Sequence, residues 1–306
     1  MTGLRIVSLL PSATEVAVAL GFEANLVGRS HECDFPPAVS DLPVCTATKL
    51  EKGLSSGAID RRVQEIVQQG LSVYEVHAAL LKDLRPDVIL TQTQCAICAV
   101  TPDDLSEALN SWVGDAPALV SLAPDNLDDV WGDFRSVGAA LAIDPEPVIA
   151  GLKARLDDLR RRVSAFGRPR VAAIEWIEPL MGAGNWIPEL IGIAGGESLL
   201  ATPGEHSPWV DFEALAAADP DVIVLMPCGF QIPQTIADMP PLTGRAGWRD
   251  LRAVRDGRVY AADGHHFFNR PGPRLIESAE ILAELIHDGK IAPVHHGRGW
   301  VRVEGD

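Results

Sequence analysis

One stretch limits what this chain can fold into more than any other. Residues 144–167 carry Ile149, Leu152, Leu156, Leu159 and Val163 at spacings of three and four, the period of a single helical stripe. Asp144 is placed to cap the helix, and Pro145 and Pro147 suit a first turn. Arg160, Arg161 and Arg162 suit a last turn, and Gly167-Arg168-Pro169 ends it. A helix over 145–166 would span roughly 30 Å, the width of a small domain. Strand-and-helix sequence flanks it on both sides, so it reads as a rigid strut joining two lobes.

The flanks repeat one another. Leu84-Arg-Pro-Asp-Val-Ile-Leu90 and Ala218-Asp-Pro-Asp-Val-Ile-Val224 each read as a helix end, Pro-Asp, a buried strand and a loop holding a cysteine. Each half opens on an Arg-led strand, Leu4–Leu9 and Arg170–Glu175. That order makes two similar α/β lobes the better reading than a chance match. Alternating strands and helices imply mostly parallel sheets. In the first lobe Ser12-Ala-Thr-Glu15 has the pattern of a capping box, and residues 58–70 and 73–84 read as two helices. In the second, Pro273 opens a long helix to about His287, and residues 291–306 read as a Gly- and Pro-containing tail. The expected fold is α/β: two Rossmann-like lobes with mostly parallel sheets, joined by one long α-helix. Residues 1–125 form the N-terminal lobe, 126–167 the connecting helices, and 168–306 the C-terminal lobe with its tail.

Composition closes several possibilities. A net charge of −16 over 306 residues argues against non-specific binding to nucleic acid or to an anionic membrane surface. No apolar run reaches the ~18 residues of a membrane span. The first strand follows Met1 almost at once, with no basic, apolar and small-residue leader before it. The expectation is a cytoplasmic protein, or a periplasmic one if a leader has been removed. Five cysteines, an odd number in a large chain, read as free thiols rather than a disulfide framework.

In open parallel sheets, ligands bind beyond the carboxyl ends of the strands. That rule selects Pro11, Ser12, His31, Gln92 and Gln94 in the first lobe. In the second it selects Trp176, Trp186, Phe230, His265, His266, Phe267, Phe268 and Arg270, and a further loop of that half supplies Trp209. Gly182-Ala-Gly184 lacks the rest of a nucleotide-binding motif. No G-x-S-x-G or paired carboxylates mark a catalytic centre, so the expected protein is not an enzyme.

The order of several short motifs resembles a known family. They are Arg5-Ile-Val-Ser-Leu-Leu-Pro-Ser-Ala-Thr-Glu15, Val27-Gly-Arg-Ser-His31 with Asp34-Phe35-Pro36, both Pro-Asp units, the strut, Gly195-Gly196-Glu197 and Pro273-Arg274. Over roughly residues 4–288 the chain is similar to the periplasmic-type substrate-binding proteins whose lobes are joined by one helix. Within them it most resembles the cobalamin-binding component of cobalamin ABC importers. The resemblance implies a corrinoid held in a cleft between lobes, without covalent chemistry, and delivery to a transporter permease. A corrin is a broad apolar disc with amide arms, which suits aromatic walls and scattered polar partners. The resemblance also implies one acidic docking residue per lobe. Glu213, seven before Pro220, matches; Ala79 stands seven before Pro86.

The thiols leave a second reading open. Cys95-Ala-Ile-Cys98 with His31 and Cys33 could form a metal site, with Cys228 on the other lobe. That would make the chain a cytoplasmic metal carrier or thiol redox enzyme. A haem or iron-siderophore binder is a further alternative, since the fold serves those ligands. His265 and His266, beside Phe267-Phe268, could offer an imidazole to a ligand's metal.

Overall fold

The computed structural model describes residues 3–69, 71–93, 105 and 116–303. The chain divides into two compact units. One comprises residues 1–52, 61–124 and 128–150, the other residues 53–60, 125–127 and 151–306.

The first unit contains β1 (Ile6–Ser8), β2 (Leu26–Arg29), β3 (Thr46–Thr48), β4 (Tyr74–Val76), β5 (Val88–Gln92) and β6 (Ala118–Leu122). Its main sheet has the order β2-β1-β5-β6, every pair parallel. Ile6, Val7, Ile89 and Leu90 are fully buried, the signature of a parallel sheet covered on both faces. The helix expected after Ser12 begins two residues earlier, at Pro11, and runs to Ala19 with no side-chain cap. The capping box therefore does not form. Pro11 already supplies a first-turn φ and has no N–H to cap, and Ser12, Thr14 and Glu15 are buried within the helix.

Residues 73–84 are also not one helix. Val73, Tyr74 and Val76 favour an extended chain, and β4 pairs antiparallel with β3. The N–H of His77 donates to Cys45 O at 2.8 Å, continuing that pairing. Only Ala78–Leu84 is helical.

The strut forms as the helix Glu146–Val163, about 27 Å long at ~1.5 Å per residue. Ile149, Leu156, Leu159 and Val163 are buried and Leu152 partly so, as the stripe predicts. Asp144 Oδ1 accepts the N–H of Glu146 at 3.0 Å. The boundary between the two units falls inside this helix, between Ala150 and Gly151.

The second unit contains β7 (Arg170–Trp176), β8 (Met181–Gly182), β9 (Glu197–Ser198), β10 (Val222–Leu225), β11 (Val259–Ala262) and β12 (Trp300–Arg302). The order is β12-β11-β10-β7-β8, with β9 also on β7. Pairs β7–β9, β7–β10 and β10–β11 are parallel; β8 and β12 run antiparallel to their neighbours. The helix Leu275–Ile286 is buried along most of its length.

The expected tail is thus part of the sheet. Trp300 is buried, its Nε1 donates to Glu284 Oε2 at 2.7 Å, and its ring meets Tyr260 edge-on at 5.5 Å. The glycines and proline of 291–299 build the turn that returns the chain, while Trp-Val-Arg supplies the strand.

The Pro-Asp repeat has a physical basis. In each unit the helix before it ends on a left-handed residue, Arg85 (φ 44°) or Asp219 (φ 37°). The aspartate two positions later accepts the backbone N–H of the arginine that opens the first strand of that unit. Asp87 Oδ2 takes Arg5 N and Asp221 Oδ2 takes Arg170 N, both at 2.8 Å.

Candidate functional site

At the strand ends of the first unit, a small polar cluster forms beneath Pro11. Thr14 Oγ1 lies 2.8 Å from Ser8 Oγ and 3.0 Å from Cys33 Sγ, and Ser30 Oγ lies 3.2 Å from the same sulfur. Ser12 and Cys33 are buried, as is Gln92 at the end of β5; Pro11 is half-buried. His31 N and Nδ1 both contact Thr46 Oγ1, at 3.0 and 2.8 Å. Burial, and then the charge of Arg29, lower the pKa of His31 to about 4, so its ring is neutral near pH 7. Burial raises the neighbouring Cys45 thiol to about 11.

Of the expected metal set, the described residues include only His31 and Cys33. Cys95, Cys98 and Gln94 lie outside them. Cys33 is hydrogen-bonded within the hydroxyl cluster and His31 to Thr46. Cys228, in the second unit, donates its backbone N–H to Glu175 O at 3.1 Å.

In the second unit several expected aromatic walls are core instead. Phe268 is fully buried, and Trp186, buried beside it, donates Nε1 to Phe268 O at 2.9 Å. Phe267 is buried with the Arg274 and Arg298 guanidinium carbons 5.5 and 5.8 Å from its ring centre. Phe230 is buried with its ring 5.4 Å from Trp176. The reason is common to them: in a strand-end loop that packs back on its sheet, large rings gain more by facing the core than the solvent. Trp176 stays half-exposed, and Trp209 is 60% exposed.

In the loop after β11 the imidazoles of His265 and His266 stay partly exposed, while Asp263 and Arg270 are buried. Asp263 caps the wide turn Gly264–Phe268, accepting His266 N at 2.8 Å on Oδ1 and contacting His266 Nδ1 at 2.7 Å with Oδ2. Buried Arg270 places Nη2 2.9 Å from His265 Nε2. The two imidazoles meet edge-on, 4.6 Å apart. His265 also lines a depression of about 250 Å³ with Gly229, Gln231, Pro233 and Gln234. Ligand pockets usually run from about 300 to 1,000 Å³, so this one would take part of a large ligand.

Two features went unread in the sequence. Glu175, at the end of β7, accepts Ser207 Oγ at 2.6 Å on Oε2, and burial raises its pKa. Its signal was an acid inside an otherwise apolar strand. Gln231 and Gln234 were the other, two carboxamides soon after the Cys228 loop.

Of the docking candidates, Glu213 is exposed in the first turn of the helix Phe212–Ala218. Ala79 is exposed on Ala78–Leu84. No described helix is long and apolar enough to cross a membrane.

Comparison with known proteins agrees with this architecture. The family model described as periplasmic binding protein matches residues 6–265. The vitamin B12-binding protein of Vibrio cholerae is 24% identical over 291 residues, covering 90% of this chain and 86% of the relative. An uncharacterized ABC transporter substrate-binding lipoprotein of Bacillus subtilis is 23% identical over 296 residues, covering 92% of this chain and 80% of the relative. Among solved structures, the periplasmic haem-binding protein of Roseiflexus sp. RS-1 matches with a TM-score of 0.68 at 21% identity, over 94% of this chain and 100% of that one. Identity this low carries the fold alone. With the family matched over most of its length, the chain belongs to the periplasmic binding proteins, which hold ligands rather than transform them.

Proposed function

We propose that this protein binds cobalamin or a related corrinoid, without covalent chemistry, as an ABC-importer-type substrate-binding protein or an intracellular derivative of one. The observation that carries this reading is the surface left at the strand ends of the second sheet. Half-exposed Trp176 and exposed Trp209 offer flat apolar faces, while His265, Gln231 and Gln234 offer polar partners. That pairing suits a wide apolar disc with amide arms. Several relatives named vitamin B12-binding proteins, similar along some nine-tenths of the chain, support the same ligand.

Haem is the second reading. Buried Arg270 at the same loop would suit a ligand with carboxylate arms, and structural neighbours include proteins named for haem. Absorbance titration with cobalamin, cobinamide and ferric haem separates the two. A corrinoid spectrum that shifts at stoichiometric protein, with no haem response, is the expected result. No response to any of the three refutes both readings. Docking to a permease would use Glu213; Glu213→Lys is expected to leave ligand affinity unchanged and to lower transport in a reconstituted importer.

A further inference from the structure

We infer that Gln234 selects for amide arms on the ligand, because residues 53–60 hold its side-chain amide with Oε1, and not Nε2, turned to the depression beside His265. This rests on the corrinoid reading above and concerns which arms of the disc the site accepts.

Gly229, Gln231, Pro233, Gln234 and His265 line the depression, with no Lys, Arg, Asp or Glu among them. Recognition there falls to carboxamides. A free carboxamide turns either end to a ligand, offering N–H groups at one and lone pairs at the other. Gln234 is not free in this way. Its Nε2 donates to Leu54 O at 3.3 Å. A carbonyl oxygen only accepts, so the flipped amide would set two acceptors against each other. Oε1 is then the end left for the depression, where it takes an N–H from a primary amide. An ionised carboxylate has acceptors only. Placed against Oε1 it gains no hydrogen bond there and has still given up its water. The site thus discriminates as much by what it refuses as by what it binds.

The carbonyl that sets this orientation is itself firmly seated. Residues 53–60 belong to the second unit and open the helix Ser56–Gln68. The first N–H groups of a helix have no partner within it. Buried Asp238 takes the N–H of Ser56 on both oxygens, at 3.1 and 3.2 Å. Ser56 Oγ accepts the N–H of Glu178 at 3.0 Å. A Cβ at Gly57 would lie 2.7 Å from Glu178 Oε2, so the segment passes close against that side chain. Gln234 and Asp238 share one helix, Ile232–Asp238. Its last residue holds the segment, and the segment in turn orients the amide nearer the depression. A side chain fixed by such supports selects among ligands, whereas a mobile one adapts to each.

The test varies the arms and keeps the disc. Cobinamide carries amide arms, and cobyrinic acid is the same corrin with carboxylates. Absorbance titration of the whole protein at neutral pH gives both dissociation constants, and the wild type is expected to prefer cobinamide. Gln234→Leu should weaken cobinamide about 3- to 10-fold, the loss of one hydrogen bond, and leave cobyrinic acid unchanged, so the preference narrows by that factor. Asp238→Ala, confirmed as folded by circular dichroism, should narrow it in the same direction, because the loosened segment lets the amide turn. Gln231→Leu, at an exposed position on the same rim, should leave the ratio as it is. A wild type without the preference, a ratio unmoved by Gln234→Leu, or one that falls as far in Gln231→Leu overturns the assignment and leaves the binding reading intact. A ratio unmoved by Asp238→Ala overturns the part given to residues 53–60. A wild type that takes up neither corrinoid nor ferric haem overturns the binding reading itself.

Discussion

Asp133 should make this protein less stable as pH rises through neutrality. It is buried on the helix Leu127–Ala140, and its Oδ2 has no hydrogen-bond partner among the described residues. Burial raises its pKa from 3.8 to about 7, against a hydrogen bond from Ala123 N–H; the charge of Asp129 pushes the same way as burial. A folded-state pKa above the unfolded one means the native state holds more protons, so stability falls with rising pH. The contribution is fully present below about pH 4 and is lost as pH passes about 7. A shift of about three units, at 1.36 kcal/mol each, makes the loss about 4 kcal/mol above neutrality. Asp133→Asn keeps the shape and removes the charge. Urea unfolding of both proteins between pH 4 and 9 checks this. The stability of the variant relative to wild type should climb from pH 4 to 8, by up to about 4 kcal/mol, and then level off. A difference that stays constant over that range would refute the reasoning.

Three further outcomes follow from the packing. Trp186→Ala should cost about 3–5 kcal/mol in urea unfolding; Trp186→Phe, which removes mainly the bond to Phe268 O, should cost about 1 kcal/mol. Asp238 accepts the N–H of Ser56 on both carboxylate oxygens, at 3.1 and 3.2 Å, and both residues are buried. Asp238→Ala leaves that N–H unmet, so it should cost about 1–3 kcal/mol and speed hydrogen exchange across residues 53–60, read by mass spectrometry. Gly264→Ala has no room for its methyl against the Met226 and Pro227 carbonyls, and should lower the melting temperature while Gly229→Ala, with open space around it but φ at 76°, costs less.

Most of the scaffold was legible in the residues because it is built from periodic patterns. The 149–163 stripe gave the strut and the Pro-Asp units gave the strand entries. Failures came where tertiary pairing overrode a local pattern. Val73–Val76 matches a helical spacing with the residues after it, but pairing with β3 decides it. Trp300–Arg302 is too short to stand out from a Gly-rich stretch, yet β11 offers an edge and Glu284 a partner for its indole. The site was legible by position and less so by role. The strand-end rule found the loop holding His265, His266 and Arg270, but not that Trp186, Phe267 and Phe268 turn inward. Side-chain direction depends on how a loop packs, which no local spacing encodes. Glu175 was missed for the same reason, since its partner Ser207 is 32 residues away in sequence.

The Pro-Asp repeat allows a stronger test of two-lobe design than its letters do. Each aspartate receives the first N–H of the opening strand in its own unit, and the backbone answers in kind. Asp87 N donates to Arg5 O at 2.8 Å and Asp221 N to Arg170 O at 2.9 Å. Removing either carboxylate should leave a strand-opening N–H without its acceptor, at about 1–3 kcal/mol where water cannot replace it. The two positions differ in one respect. Arg252 Nη1 also binds Asp221 Oδ1, at 2.7 Å. Burial opposes ionisation there, but Arg170 N–H and Arg252 outweigh it and hold the carboxyl below its usual range. Its stabilisation is therefore present above the unfolded pKa and fades as pH falls through the folded one. Asp221→Ala should thus cost more at pH 7 than at pH 3, and should speed exchange at the start of β7 while β1 stays protected. Asp87→Ala should expose β1 and spare β7. If either substitution loosened both strands equally, the units would unfold as one, and the repeat would record sequence history without marking two separately stabilised lobes.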